Sequence, residues 1–355
     1  MPSASDEIRA AIAAADVVGG ERAISFETFM DLALYGESGF YRAGGVAGRR
    51  GDFITSPEVG PLFGAVLARA LDAWWRGLGE PDEFTVVDAG AGPGTLARSV
   101  RAAAPACAAA LRYVAVEVSA TQRERHPEGV TSVADLAGLD ASGAVPDVVV
   151  ANELLDNLAF RLFVMDGGWR EAHVVARADG TFAEILRPAT DLDTLGLPVK
   201  APHGARAPVQ QRAQRWLSEA RSRMTRGRIV VFDYAAPATV LLANRPWRDW
   251  LRTYRSHERG EHYLRNPGEQ DITAEVALDQ LTAVLGEPDA VRSQRQFLQR
   301  WGIDELVEEG QRVWAEQAAR PGLVAMTMRS RFREAEALQA DPGLGSFSVV
   351  EWTFA

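Results

Sequence analysis

The stretch Phe84-Thr-Val-Val-Asp-Ala-Gly-Ala-Gly-Pro-Gly-Thr-Leu96 decides the fold of this 355-residue chain. Residues 84 to 88 form a short apolar run that closes on an acid, which is typical of a buried strand. Glycines follow at 90, 92 and 94, and a helical pattern begins at Thr95. Glycine accommodates sharp backbone angles and lets the main chain approach a ligand closely. The stretch therefore predicts a strand, a ligand-facing turn and a helix.

The same design recurs in three further segments, which are Arg112–Glu117, Pro146–Asn152 and Gly227–Asp233. Apolar strands that alternate with helices indicate an α/β fold with a mostly parallel sheet and helices on both faces. Such sheets bind ligands beyond the carboxyl ends of their strands. We therefore expect the polar residues that close these strands to lie around one site.

Two regions depart from this rhythm. Residues 1–80 predict an N-terminal helical extension packed on the core, with Ser25 as one helix cap and Thr55–Glu58 as the start of a helix reaching about Trp75. Residues 81–355 form the main domain, with insertions at about 161–205 and 236–271. Apolar and polar residues alternate over 161–187, which predicts an inserted antiparallel β meander. Helices are expected from Ile272 onward, and a strand closes the chain.

Composition and charge exclude several function classes. The chain has 38 basic against 48 acidic residues, a net charge of −10, which argues against sequence-independent binding of nucleic acid. The first 20 residues lack the pattern of a signal peptide, and no apolar run approaches the roughly 20 residues that span a bilayer. There is one cysteine, and the histidines have no metal-ligand spacing. We expect a cytoplasmic protein without membrane insertion, nucleic-acid partner or metal.

An acid that closes the second strand points to a nucleoside-bearing cofactor. Glu117 lies 23 residues beyond Gly94, where a carboxylate can accept both hydroxyls of a ribose. A dinucleotide site requires a third glycine at position 95, and this chain has Thr95. Glycines 90, 92 and 94 instead favour S-adenosylmethionine, with Asp88 near its sulfonium. Asp135 and Leu136, in the loop after the next strand, are the predicted adenine contacts.

The fourth strand ends in Asn152-Glu-Leu-Leu-Asp-Asn157. If a helical turn starts here, Glu153 and Asp156 share one face. Two carboxylates in one pocket suit a planar cation such as a guanidinium, which forms bidentate hydrogen bonds and has a pKa above about 12. A methyl acceptor of this kind must be oriented and relieved of a proton. Farther along, Tyr254 and His257 are predicted to line the acceptor channel.

Taken together, these segments resemble the MidA-like family of S-adenosylmethionine-dependent methyltransferases, relatives of the mitochondrial complex I assembly-factor arginine methyltransferase. The matches run in order over roughly residues 24 to 280. Besides the glycine turn, they are Ile24–Met30, Ala33–Tyr35, Gly39–Tyr41, Gly51–Glu58, Phe63–Gly64, Tyr113–Ser119, Ala151–Glu153 with Asp156, Asp233–Tyr234, Leu251–Tyr254 with His257, and Pro267–Thr273.

The resemblance implies a class I Rossmann-like methyltransferase that acts on an arginine of a partner protein, such as a respiratory-complex subunit. By matching motif, it places Gly90, Gly92, Gly94 and Glu117 at the cofactor, with Thr55, Ser56 and Pro57 closing over it. It places Glu153 and Asp156 at the acceptor. Asn152, at the end of the fourth strand, is a further predicted cofactor contact.

This chain departs from the family pattern at Asn157-Leu-Ala159, where Ala-Leu-Pro is usual, and at Glu275, where histidine is common. Three alternatives remain open. One is a nicotinamide oxidoreductase, one is a non-catalytic assembly or scaffold protein, and one is a methyltransferase for a small molecule.

Overall fold

The central sheet is the frame of the molecule. The computed structural model describes residues 2–43, 55–255, 258–320 and 322–355. Within these ranges the sheet has seven strands, numbered here in chain order: β1 Phe84–Ala89, β2 Leu111–Val116, β3 Thr131–Val133, β4 Val148–Asn152, β5 Gly227–Asp233, β6 Ala290–Ser293 and β7 Ser348–Phe354. Their order is β3-β2-β1-β4-β5-β7-β6. Strands β1 to β5 run parallel, whereas β7 is antiparallel to both of its neighbours. The predicted α/β fold is confirmed.

Helices cover both faces of this sheet, and others pack on a second sheet. In the described part of the chain they are α1 Ala4–Ala14, α2 Phe26–Tyr35, α3 Phe40–Ala43, α4 Ser56–Val59, α5 Pro61–Gly77, α6 Thr95–Ala102, α7 Ala120–Arg123, α8 Gly138–Ser142, α9 Gln211–Ser222, α10 Thr239–Ala243, α11 Leu278–Leu285, α12 Gln294–Arg300, α13 Ile303–Gln317 and α14 Leu323–Leu338. None of the described helices combines the length and the apolar character needed to cross a membrane.

Alternation along the strands separates two cores. Val148 and Val150 of β4 pack with α5 and α6, while Val149 and Ala151 pack on the other face with α9 and α11. Successive side chains of a strand point to opposite faces, so a strand buried on both sides reads as a continuous apolar run. This is why the short runs in the sequence identify the inner strands.

A second sheet carries the predicted meander. Arg161–Met165, Trp169–Ala176 and Phe182–Arg187 pair antiparallel, and Arg206–Val209 and Ile24–Ser25 join at the sides. The meander is therefore present. Helices α1 and α2 pack on this sheet in a core of their own, whereas α5 packs on the central sheet. The two ends of the region 1–80 thus lie on different sheets.

The segment after residue 270 differs from the expectation. Helices were expected from Ile272, but Asp271–Ala274 is a strand that pairs antiparallel with Leu251–Arg255, and α11 begins only at Leu278. Pairing with a distant strand satisfies the backbone of this segment, and such tertiary pairing overrides local helical preference. The insertion 236–271 thereby ends in a small sheet beside the end of β4.

The expected single helix from residue 55 to about 75 is broken in two at Gly60. The carboxyl of Glu334, from α14, lies against this glycine, and a Cβ on Gly60 would come within 2.3 Å of Glu334 Cδ. Glu334 Oε2 also accepts the N–H of Leu62 at 2.9 Å, in the first turn of α5. The break therefore exists because α14 inserts an acid at the start of α5, where the orphan N–H groups of a helix need acceptors.

Candidate active site

A cavity of about 420 Å³ opens at the carboxyl ends of β1 to β4. This volume lies in the range of about 300 to 1,000 Å³ that is usual for small-molecule sites. Its lining comes from the glycine turn, from the ends of β2, β3 and β4, and from the segments around Tyr35 and Thr55. Since parallel strands place all their carboxyl ends at one edge, the predicted positions meet there.

The glycine turn connects β1 to α6. Gly90, Gly92 and Gly94 all have positive φ, at 72°, 52° and 79°. Residues with a side chain rarely adopt such angles. Among the described residues, no atom lies within 4 Å of an added Cβ on Gly92, so none of them fills the space beside this glycine. The glycines therefore allow both the turn and the close approach that the sequence predicted.

Glu117 follows β2 directly and is tied to the glycine turn. Its Oε2 accepts the N–H of Gly92 at 2.9 Å, and its Oε1 accepts the N–H of Ser119 at 2.8 Å. Each carboxylate oxygen can accept a second hydrogen bond. Glu117 lines the cavity, so its remaining lone pairs are available to the two hydroxyls of a ribose.

Asp88 is a buried acid at the base of the same turn. It is 2% exposed, and Tyr113 Oη donates to its Oδ2 at 3.1 Å. Burial raises the pKa of Asp88 to about 7, the Tyr113 hydrogen bond lowers it, and the charge of Glu117 raises it further. No basic side chain within the described ranges pairs with it. A cationic ligand in this part of the cavity would therefore favour the ionised form of Asp88.

The remaining predicted cofactor residues lie around the same space. Asp135, Leu136, Thr55, Pro57 and Asn152 line the cavity. The side chain of Asn152 donates to Glu153 Oε1 at 3.2 Å, while its own Oδ1 is buried without a protein partner.

Ser56 differs from these residues because it is fully buried behind the lining. It contacts the site through its backbone N–H, which donates to Glu153 Oε1 at 3.2 Å.

Glu153 is the central carboxyl of the site. It lines the cavity and has a positive φ of 51°, an uncommon conformation for a residue with a side chain. Both hydrogen bonds to its side chain within the described residues go to Oε1, so Oε2 has no partner among them and is available to a ligand. Burial, together with the charge of Asp156, raises the pKa of Glu153 to about 8.

The expected helical turn with Glu153 and Asp156 on one face does not form. A short 3₁₀ turn begins only at Leu155, because Asp233 Oδ2 accepts the N–H of Leu155 at 2.9 Å and fixes the turn after Glu153. Asp156 is 4% exposed and is not among the residues that line the cavity. Its Oδ2 accepts Thr273 Oγ1 at 2.5 Å, and its Oδ1 is buried without a partner.

Two further acids surround this pair. Asp233, at the end of β5, and Asp271 are 2% and 4% exposed. Burial raises the pKa of Asp233 well above its ordinary value and that of Asp271 to about 7, and burial likewise raises the pKa of Asp156 to about 6. Within the described residues, none of the four carboxyls pairs with a basic side chain. Among the described residues that line the cavity, the one basic side chain is Arg212, which is paired with Glu27 and Asp31 and not with these four carboxyls.

Not every residue that was predicted to contact the acceptor lies at the cavity. Tyr254 lies in the strand Leu251–Arg255 and does not line the cavity, and His257 lies outside the described residues, as do residues 51–54 of the motif Gly51–Glu58. The lining does include Tyr35, Tyr41 and Asn157, to which the sequence assigned no role. The sequence did offer a signal for Tyr35 and Tyr41, because both lie in motifs that match the family.

The last feature of the site is the arrangement of side chains that could bind a metal ion. Among the described residues there is no group of three or more His, Cys, Asp or Glu side chains placed to hold a metal ion.

The residues at the β1 and β2 ends fit a nucleoside with a sulfonium amino acid better than a pyrophosphate. Helix α6 starts at Thr95 behind the glycine turn, with Gly94 as its N-cap. An acid, Asp88, is buried at the base of the turn, where a pyrophosphate would be repelled. Together with the strand order, this defines the class of protein as an α/β fold with a nucleoside-cofactor site of the S-adenosylmethionine type.

Comparison with known proteins agrees with this class. A structure from Burkholderia thailandensis bound to S-adenosyl-homocysteine superposes with a TM-score of 0.80 at 26% identity, covering 99% of this chain and 91% of the other. A native structure from the same organism gives 0.78 at 25% identity. The chain is 28% identical to the protein arginine methyltransferase NDUFAF7 homolog of Drosophila melanogaster over 68% of its length, and spans 61% of that relative. The Mus musculus protein is 26% identical over 75% of this chain and 67% of its own.

The chain belongs to the family described as "putative S-adenosyl-L-methionine-dependent methyltransferase", whose model matches residues 66–297. The resemblance noted in the sequence is confirmed. The protein is an S-adenosylmethionine-dependent methyltransferase, and S-adenosylmethionine is its cofactor.

Proposed function

We propose that this methyltransferase acts on the guanidinium of an arginine in a partner protein. The observation that carries the proposal is the cavity carboxyl Glu153, whose Oε2 has no partner among the described residues, with Asp156, Asp233 and Asp271 buried around it and likewise without a basic partner there. Isolated buried carboxylates are costly unless paired. A cationic acceptor supplies the missing charge. The distant relatives from Drosophila melanogaster and Mus musculus are named as protein arginine methyltransferases, which supports the same acceptor.

The residues at the cofactor end would bind and orient S-adenosylmethionine. Glu117 would accept its ribose hydroxyls, Asp135 and Leu136 would border its adenine, and Asp88 would lie near its positive charge. When bound, the cofactor supplies an electrophilic methyl group on a sulfonium. Binding of this cation favours ionisation of Asp88, whose pKa is raised to about 7 when the site is without a counterion.

Glu153 would hold the acceptor. Methylation replaces one N–H of the guanidinium by N–CH₃ and releases one proton. In its ionised form, Glu153 accepts hydrogen bonds from guanidinium N–H groups at Oε2, and it receives that proton. Hydrogen bonds from the Ser56 N–H and the Asn152 amide to Oε1 stabilise the ionised form and fix its orientation. Positioning of the acceptor nitrogen then supplies most of the rate.

The experiment is a transfer assay with radiolabelled S-adenosylmethionine, the purified protein and an extract of host cells that lack it. We expect label in protein, recovered as methylarginine after hydrolysis and located by mass spectrometry. Glu153→Gln should abolish the label. Glu308→Gln, which changes an exposed glutamate of α13, is the matched control and should not. Label only on small molecules or on lysine would refute the arginine assignment.

A further inference from the structure

Four residues from separate parts of the chain meet beside Glu153. They are Tyr35 at the end of α2, Tyr41 in α3, Asn157 after the fourth strand and Asp271 at the start of the strand Asp271–Ala274. We call them the Tyr–Asp cluster. The rings of Tyr35 and Tyr41 are stacked, with centroids 5.4 Å apart and planes inclined by 18°. The motifs that contain the two tyrosines and Asp271 were recognised in the sequence, yet the proposed function gives them no role.

Hydrogen bonds bind the cluster together. Tyr41 Oη donates to Asp271 Oδ1 at 3.1 Å, and the amide of Asn157 donates to both oxygens of Asp271 at 3.1 and 3.3 Å. Tyr35 Oη donates weakly to the carbonyl of Asn157, at 3.4 Å. All of these donors are neutral. Among the described residues, the carboxyl of Asp271 beside the cavity therefore has no positively charged partner.

The cluster lines the same cavity as Glu153. Tyr35, Tyr41 and Asn157 are part of the cavity wall, and Asp271 lies directly behind them, 4% exposed. The face of a tyrosine ring attracts cations, and a guanidinium stacks on such faces because it is flat and weakly hydrated. An acid behind an aromatic wall adds a longer-range attraction, which is strong where water is excluded. This combination selects a flat cation.

We propose that Tyr35, Tyr41 and Asp271 form the subsite that recognises the positive charge of the acceptor, while Glu153 contacts the reacting nitrogen. The inference rests on the proposed function and extends it, because it names the residues that distinguish arginine from a neutral side chain of the same shape. Asn157 is a positioning residue in this arrangement, because its amide donates to both oxygens of Asp271.

The test measures discrimination rather than activity alone. The protein saturated with S-adenosyl-homocysteine is titrated calorimetrically with Nα-acetyl-arginine methylamide and with its citrulline counterpart, which is nearly isosteric but neutral. Hydrogen bonds to charged groups are worth about 1.5 to 3 kcal/mol, so we expect arginine to be preferred by about tenfold or more. Asp271→Asn should reduce the preference by about fivefold and Tyr41→Phe by about threefold, while the charge of Glu153 retains part of it.

A matched control removes a tyrosine hydroxyl that also donates to a carboxylate but lies away from the cavity. Tyr263 Oη donates to Glu184 in a buried network that includes Arg206 and lies outside the cavity lining. Tyr263→Phe should leave the preference for arginine unchanged. In all variants the affinity for S-adenosyl-homocysteine should stay at the wild-type value, which a general loss of structure would not allow.

The outcomes separate the two claims. If the wild type prefers arginine and methylates it, but Asp271→Asn and Tyr41→Phe keep the full preference, the subsite is refuted and the proposed function stands. If Asp271→Asn does not fold, Tyr41→Phe alone decides, because it removes a single oxygen. If the wild type binds S-adenosyl-homocysteine normally but does not prefer arginine over citrulline, both the acceptor assignment and the subsite are refuted.

Discussion

The two ends of the cavity are built in different ways. At the cofactor end, most contributing residues lie at or just after the end of a strand of one parallel sheet, and the backbone N–H groups of Gly92 and Ser119 hold the side chain of Glu117. At the acceptor end, the Tyr–Asp cluster and Glu153 come from segments more than 200 residues apart in the chain. Their carboxyls have no positive partners within the described ranges.

This difference indicates how each end works. The cofactor end is preorganised by local backbone geometry, so it needs little adjustment to accept a nucleoside. If the acceptor is the cation proposed above, its charge completes the acceptor end, and this pairing contributes to its binding energy. A substitution at the first end should therefore change the affinity for cofactor, whereas a substitution at the second should change turnover and acceptor choice.

The largest expected effect is at Glu153. Glu153→Gln keeps the shape of the side chain but removes the charge that holds the guanidinium and receives the proton. We expect turnover to fall by about a thousandfold, within the range typical for loss of a general base. The affinity for S-adenosylmethionine, measured by calorimetry at about pH 6, where Glu153 with its pKa of about 8 is protonated, should stay within about twofold, since Glu117 and the glycine turn are unchanged. Full turnover in this variant would show that the proton is taken elsewhere.

The second largest effect is expected at Gly92, at the cofactor end of the cavity. Gly92→Val places a β-branched side chain at a φ of 52° and in the space beside the turn, where no atom of the described residues lies within 4 Å of a Cβ. We expect the affinity for S-adenosylmethionine to fall by about a hundredfold or more, through steric overlap and backbone strain.

A matched control variant separates steric overlap with the cofactor from strain of the backbone. Gly196 has a φ of 65°, has equally open surroundings and is outside the cavity lining. Gly196→Val should lose stability without losing affinity. An equal loss of affinity in both variants would mean that strain, and not occupation of the cofactor space, is responsible.

The third expected effect is on cofactor binding: the affinity for positively charged S-adenosylmethionine, relative to neutral S-adenosyl-homocysteine, should depend on pH. Asp88 has a pKa of about 7 and Glu153 of about 8 in the site without a cation. As pH rises through these values, both acids become negative, which favours the sulfonium of S-adenosylmethionine over the neutral sulfur of S-adenosyl-homocysteine. We expect the ratio of the two dissociation constants to change by about tenfold between pH 6 and pH 8.5.

Calorimetry of both ligands across this range checks the prediction. Asp88→Asn should remove much of the change, and Glu308→Gln, at an exposed glutamate of α13, should remove none. A ratio that stays constant with pH in the wild type would mean that neither acid lies close enough to the sulfonium to matter.

Much of the cofactor end could be predicted from the sequence because its signals are local. The glycine turn, Glu117, Asp135 and Leu136 all lie within a few residues of a strand that its apolar run identifies. Most of the acceptor end could not be predicted in this way. The turn after Glu153 depends on a bond to Asp233 from another strand, and the strand at Asp271 depends on pairing with Leu251–Arg255. Both are long-range contacts, which local patterns do not encode.

The smallest expected effect concerns the support of Glu153 from the C-terminal region, most of which lies beyond the matched family region. Ser56 Oγ donates to Gln294 Oε1 at 2.8 Å, and the amide of Gln294, which is fully buried, donates to the carbonyl of Leu338 at 3.1 Å. The helices α12 and α14 thereby hold the segment whose N–H binds Glu153. Removal of one hydroxyl should loosen this segment without displacing it.

Ser56→Ala should lower turnover by about threefold, the cost of one ordinary hydrogen bond. Since the Ser56 N–H lowers the pKa of Glu153, its weakening should also move the rising limb of the pH–rate profile to higher pH. Ser142→Ala, which removes a hydroxyl bonded within α8, is the control and should shift neither quantity. A threefold loss of turnover with an unmoved pH profile would contradict the proposed link, because it would show that the C-terminal helices stabilise the fold without acting on Glu153.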